Sequence, residues 1–247
     1  MPVHPLPRRL AAPLEGLLRW LLPHCCALCG GAGEAAVCAA CEADYLRARP
    51  RCPVCANPAG AADAALPCGA CLAAPPSFDA TVAACDYAAP LDGLVLQLKF
   101  HAQLALAPWM ARMLHREWRR GGLAPPELLC PVPLGAARLV ERGYNQALEL
   151  ARPLARLMET PLAPRLALRV IETRAQSGVE PAARRRNVRG AFAVADEAQV
   201  RGRHVGVVDD VMTGGHTLDE LAAALKRAGA ARVTNFVFAR TPPHRHA

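Results

Sequence analysis

The stretch VGVVDDVMTGGHTL, residues 205 to 218, decides the fold. Val205, Val207, Val208 and Val211 suit a parallel strand covered on both faces, and the run ends in two carboxylates, Asp209 and Asp210. Gly214 and Gly215 then allow a tight turn. From Thr217 onward Leu218, Leu221, Ala222, Leu225 and Ala228 fall on one helical face, with Gly229 as the residue that ends the helix. A helix N-terminus directly behind such a turn offers free amides and a positive dipole end to a phosphate, and the hydroxyls of Thr213 and Thr217 add donors. The carboxylates suit a different role, accepting hydrogen bonds from vicinal sugar hydroxyls or holding a hydrated magnesium ion. A ribose 5-phosphate satisfies both halves. The plainer alternative is a strand-to-helix turn whose Asp pair is a solvated strand end. No Lys follows the glycines as in a Walker loop, and the spacing is not GxGxxG.

Cysteine is the second signal. Eleven occur, and eight form four CxxC pairs: Cys26 with Cys29, Cys38 with Cys41, Cys52 with Cys55, and Cys68 with Cys71. Eight thiolates make two tetrahedral zinc sites, and the intervals between pairs are of zinc-ribbon length. Two ribbons in series is the preferred pairing, with a cross-braced arrangement as the runner-up. Disulfides are the competing reading, but no credible secretory signal precedes the cysteines, and four regular CxxC pairs favour a reducing cytoplasm. Four thiolates close the coordination sphere, so both zincs are expected to be structural and to supply cohesion that so small a segment cannot obtain by burial.

A hydrophobic fraction of 53% allows one mid-sized domain with a small appendage. No apolar run approaches the roughly 18 to 20 residues of a spanning helix. The expected organisation is an amphipathic helix within 1–24, carrying Leu10, Leu14, Leu17, Leu18, Leu21 and Leu22, a double zinc ribbon at 25–75, and an α/β domain at 76–247. The formal net charge is +8, and almost all of it lies beyond residue 72. Filling both zinc sites adds two negative charges at each, which lowers the total to about +4 and turns the ribbon acidic. Basic density lies instead in Arg165, Arg169, Arg174, Arg184, Arg185, Arg186 and Arg189. That stretch reads as a phosphate-recognising loop, as a non-specific nucleic-acid patch, or as a solvated face. The few aromatic residues are not interleaved with it as stacking platforms would be.

Elsewhere, 79–87 alternates like a strand, 91–101 and 104–120 read as helices, and 127–132 as a strand. Residues 135–158 form a long helix kinked or divided at Pro153, 192–194 a short strand, and 232–238 a strand that closes the sheet. This alternation gives a mainly parallel sheet flanked by helices, with ligand chemistry at the carboxyl ends of the strands. Pro131 to Gly135 and Asp209 to Thr217 both lie at such ends.

The acidic strand and turn resemble the phosphoribosyl pyrophosphate (PRPP) loop of type I phosphoribosyltransferases. Together with PVPLGAARLVERGYNQA at 131–147, ETRAQSGVEPAARRRNVRGAF at 172–192 and LQLKF at 96–100, they resemble the ComF family. These are phosphoribosyltransferase-like proteins associated with DNA uptake in naturally competent bacteria, many with an N-terminal zinc ribbon. The resemblance implies that Asp209 and Asp210 fix the ribose and that Thr213, Gly214, Gly215, His216 and Thr217 hold the 5-phosphate. It places pyrophosphate near Pro133, Leu134, Gly135, Arg138 and Arg142, with Asn145 and Gln146 close by. Lys99, Gln176, Arg186 and Asn187 match family positions as well. The turn departs from the family where Gly214 and His216 replace a second Thr and a small residue, and one lost hydrogen bond to a charged group costs about 1.5 to 3 kcal/mol.

The resemblance implies a PRPP-binding or phosphoribose-binding protein serving DNA uptake or the use of imported DNA. If active, it is a pentosyl transferase using Mg²⁺ with PRPP, with Arg138 neutralising the leaving pyrophosphate. Two other classes are a non-catalytic module for single-stranded DNA or a competence or DNA-processing protein, and a nucleotide-salvage or amidophosphoribosyl enzyme.

Overall fold

The computed structural model describes residues 24–60, 66–171 and 190–242. The leucine-rich segment before residue 24 and the arginines between 172 and 189 lie outside them, as do Gln176, Arg186 and Asn187. The chain forms two compact units, Met1–Arg47 and Ala48–Ala247. The two ribbons therefore fall in different units.

The first unit holds a short antiparallel pair, β1 (His24–Cys25) and β2 (Ala32–Gly33), followed by α1 (Ala39–Tyr45). Val37 and Leu46 are buried there, a small apolar complement of the kind that needs a metal to hold it.

The second unit begins with the second ribbon, in which Arg51 bridges Pro58 and α2 spans Gly69–Ala73. It continues through β3 (Ala80–Asp86), α3 (Leu91–Phe100), α4 (Leu106–Gly121), β4 (Leu128–Pro131), α5 (Ala136–Arg142), α6 (Gln146–Met158), β5 (Ala167–Arg169) and β6 (Phe192–Val194). After a single 3₁₀ turn come β7 (His204–Met212), α7 (His216–Arg227) and β8 (Arg232–Arg240). Four strands form one parallel sheet in the order β3-β8-β7-β4. The last strand, expected to close the sheet, is inserted between β3 and β7. Its run of Val, Phe and Ala explains this, since a strand buried on both faces belongs at the centre.

Helices cover both faces. Trp109 of α4 meets Phe238 edge-on, with ring centroids 5.7 Å apart, on one side. On the other, Val233 and Val237 of β8 share a buried cluster with Leu218, Leu221 and Leu225 of α7. Cys52, Cys55 and Cys71 belong to that same cluster, so the second ribbon is packed into the core of the sheet unit. It is tied to the edge strand by Thr81 N donating to Pro53 O at 3.2 Å and by the Arg51–Asp86 ion pair at 2.7 Å.

The long helix expected at 135–158 is two helices, and the break is not at Pro153. Gly143 takes a φ of +80° and closes α5, a conformation that costs glycine little. Asn145 then caps α6 by accepting from Ala147 N at 3.0 Å and Leu148 N at 3.4 Å. Pro153 lies within α6. The strands β5 and β6 pair antiparallel, outside the main sheet, and flank residues 172–189 in sequence.

Candidate functional site

The cysteine sulfurs group in chain order. Cys26, Cys29, Cys38 and Cys41 form one cluster and Cys52, Cys55, Cys68 and Cys71 the other, with the Sγ atoms of each within 4.8 Å of one another. This is the serial pairing and not the cross-braced one. Tetrahedral Zn–S bonds of about 2.3 Å put sulfurs about 3.8 Å apart; Cys29 and Cys38 are separated by 3.9 Å, and Cys55 and Cys68 by 3.6 Å. The two knuckles repeat one another in detail. Cys38 N donates to Cys26 Sγ at 3.3 Å, and Cys68 N donates to Cys52 Sγ at 3.2 Å. Burial works against ionising Cys26, but amide donors from Cys29, Cys38 and Leu28 outweigh it and bring the thiol down to about 6. Such donors stabilise thiolate, the form that binds zinc. Each site is closed by four sulfurs, and the chemistry a bound Zn²⁺ supplies is structural. The remaining buried cysteines, Cys85 and Cys130, have thiols pushed up to about 12 by burial and are inert.

At the carboxyl ends of the sheet strands, register sets the second site. Pro131 of β4 lies beside Val208 of β7, and Val132 N donates to Val208 O at 2.9 Å. The loop Val132 to Gly135 therefore emerges next to Asp209 and Asp210, at the carboxyl ends of adjacent parallel strands. Gly135 is buried, and Pro133 and Leu134 are half-buried. Asn145 Nδ2 donates to Val132 O at 3.0 Å, which fixes the start of α6 against this loop.

The two carboxylates differ. Asp210 is 2% exposed and its Oδ2 lies 2.9 Å from Lys99 Nζ, at the end of α3. Asp209 is half-buried; burial, then the charge of Asp210, push its carboxyl up to about 8, with Lys99 opposing. Lys99 also lines a cavity of about 540 Å³ together with Phe100, Ala102, Arg138, Glu141, Arg142, Tyr144 and Gln146. Lys99, Arg138 and Arg142 are thus gathered at one cavity, and Lys99 connects it to the acidic strand end. Arg142 sits 5.3 Å from the centroid of the Phe100 ring. The Tyr144 hydroxyl donates to Leu98 O and holds α3 against the α5–α6 connection.

Thr213, Gly214, Gly215, His216 and Thr217 form the turn and the first residues of α7 and do not line that cavity. Gly215 precedes the helix with φ +80°, and a Cβ there would meet Met212 Cε at 2.7 Å. The His216 ring lies against Gly214, 3.2 Å from where a Cβ would be. Thr213 and Gly214 are exposed, so the mouth of the turn is open.

One residue that sequence reasoning passed over supports the turn from behind. Arg240, 6% exposed at the end of β8, lies beside Met212 in the register and donates to Met212 O at 3.0 Å and to Thr213 O. The sequence signal was an arginine ending an otherwise apolar strand.

Family models match at two places: a double zinc ribbon domain over residues 17–72 and a phosphoribosyl transferase domain over residues 145–246. DNA utilization protein YhgH of Escherichia coli K12 is 36% identical over 227 residues, covering 89% of this chain and 98% of that protein. Competence protein F of Haemophilus influenzae is 36% identical over 178 residues, covering 70% of this chain and 78% of that protein. Among solved structures, a glutamine PRPP amidotransferase from B. subtilis aligns at 20% identity and a TM-score of 0.38, over 54% of this chain and 26% of that one. A purine phosphoribosyltransferase from Pyrococcus horikoshii aligns at 18% identity and a TM-score of 0.35, over 57% and 77%. No helix among the described residues is long and apolar enough to cross a membrane.

Proposed function

This chain belongs to the ComF family of phosphoribosyltransferase-fold proteins with a double zinc ribbon, and we propose that it binds PRPP, or a related phosphorylated ribose, in the service of DNA uptake or the use of imported DNA. The observation that carries the reading is the 2.9 Å contact between Lys99 and Asp210, because it joins the acidic strand end to a cavity lined by Arg138 and Arg142. In this assignment the 5-phosphate sits in the turn 213–217, held by backbone amides and the N-terminal dipole of α7. Asp209 and Asp210 accept hydrogen bonds from the ribose hydroxyls, and the cavity takes the diphosphate.

Without ligand, Asp210 and Lys99 satisfy each other's charge. A diphosphate in the cavity competes for the Lys99 ammonium, and release of Asp210 makes its carboxylate available to sugar hydroxyls. A magnesium ion arriving with PRPP would shield diphosphate charge and is suited to the oxygen-rich end of β7. If the protein transfers the phosphoribosyl group, the C1–O bond to pyrophosphate breaks, the electron pair leaves with pyrophosphate, and a nucleophile bonds to C1. The chain's contribution is then orientation and charge stabilisation by Lys99, Arg138 and Arg142.

Titration calorimetry with PRPP and Mg²⁺ tests the binding. The native protein should give saturable heat, and Asp209→Ala combined with Asp210→Ala should abolish it while zinc content stays at two per chain. Equal affinity in the double variant would sink the assignment. Release of pyrophosphate on adding candidate bases or amines separates a transferase from a binding protein.

A further inference from the structure

The Arg240 guanidinium faces both ways. Its Nη1 donates to Met212 O at 3.0 Å, to Thr213 O, and to Thr241 O at 2.7 Å, while its Nε donates to Cys55 O at 2.9 Å. Cys55 is a ligand of the second cysteine tetrad, and Met212 and Thr213 are the last strand residue and the first residue of the phosphate turn. One buried side chain thus bonds the backbone of a metal knuckle to the backbone of the turn.

A buried cation is costly unless its donors are satisfied and its charge is met. Carbonyls satisfy the Nε and Nη1 donors. The charge would be met by the second tetrad when loaded, since four thiolates holding one Zn²⁺ would carry a net charge of −2 beside Arg240. The knuckle is itself rigidly seated. Ala56, which follows Cys55, is fully buried and takes a left-handed φ of 55°, and its carbonyl accepts from Arg51 Nη1 at 3.1 Å. Arg51 is in turn paired with Asp86 of β3. The Arg240 anchor therefore has little freedom on its metal side.

We propose that Arg240 is a positioning residue through which the second zinc centre fixes the backbone of the phosphate turn, so that metal at this centre and ligand at the turn are energetically coupled. The ligand half rests on the reading of residues 213–217 as the phosphate seat. The metal half rests only on the bonds from Arg240. When zinc leaves the second centre its thiolates take up protons, which removes the countercharge and frees Cys55, and the turn amides lose their backing although no ligand-contacting residue has changed.

Amide hydrogen exchange on the full chain tests this, together with metal analysis and calorimetry with ribose 5-phosphate. Arg240→Lys and Arg240→Gln should keep two zincs per chain, exchange the amides of 213–217 at least about tenfold faster, and bind ribose 5-phosphate about tenfold more weakly, the scale of one charge-assisted hydrogen bond. Cys68→Ser should lose one zinc and show the same acceleration at 213–217. Leu150→Ala, which opens a cavity at a buried α6 residue outside the cluster that holds Met212 and Leu218, serves as the destabilised control. Unchanged exchange at 213–217 in Arg240→Lys, or an equal acceleration in Leu150→Ala, overturns the proposal. If the native protein fails to bind ribose 5-phosphate while the Arg240 variants still accelerate turn exchange, the phosphate-seat reading falls and the coupling between metal and turn stands.

Discussion

Asp209 and Asp210 are identical side chains one residue apart, and their surroundings give them different chemistry. Asp210 points to Lys99; Asp209 is left to burial and to its neighbour's charge, which push it up to about 8. A carboxyl whose folded pKa exceeds the unfolded value of about 3.9 binds its proton more tightly when folded. The stability it contributes is complete below the unfolded value and is lost as pH rises through about 8. The contribution of Asp209 should therefore fall between about pH 4 and pH 8, so the melting temperature of the ligand-free protein relative to that of Asp209→Asn should decline across this range. Thermal melts of both proteins across this range check it, and parallel slopes would contradict it. Gly215 is constrained by shape. With φ +80° and Met212 Cε 2.7 Å from a would-be Cβ, Gly215→Ala should cost about 1 to 3 kcal/mol in urea unfolding.

Elements are placed by their ends more than by their periodicity. The break between α5 and α6 needs Gly143 to leave the helix and Asn145 to restart it, and Asn145 also donates to Val132 O. Asn145→Ala should cost about 1 to 2 kcal/mol, the range of a lost helix cap, and Asn145→Asp, which keeps the cap but not the donor to Val132, should recover part of it. Chemical denaturation of the three proteins measures the difference. The alternation of apolar residues in 135–158 continues across the break, which is why periodicity alone reads one helix. Pro153 lies inside α6 without ending it, so composition misplaced the division while cap chemistry located it.

For the whole molecule, the division into Met1–Arg47 and Ala48–Ala247 gives the two zinc centres different duties. The first holds together a unit with few buried apolar side chains. The second lies in the core cluster that backs β8 and α7. Chelation should therefore do more than melt the ribbons: the sheet unit itself should unfold at lower urea, whereas Cys29→Ser, which disables the first centre alone, should leave the main unfolding transition of residues 48–247 nearly in place. Tryptophan fluorescence in a Trp20→Phe background reports that transition through the two remaining tryptophans, Trp109 and Trp118, both buried in α4. Equal midpoints with and without chelator would contradict the integral role of the second centre.

The strand, acidic pair, turn and helix at 205–228 were legible in the sequence because each is a local pattern whose period or residue chemistry suffices. So were the cysteine tetrads, since CxxC spacing fixes two sulfurs per knuckle. Contacts between residues far apart in the chain were not. Lys99 at the end of α3 meets Asp210 at the end of β7, and Arg240 reaches Cys55 across 185 residues because β8 is inserted at the centre of the sheet. Local sequence determined what each segment is. Strand order and register decided which segments share a site, because a parallel sheet brings together carboxyl ends that no short-range pattern connects.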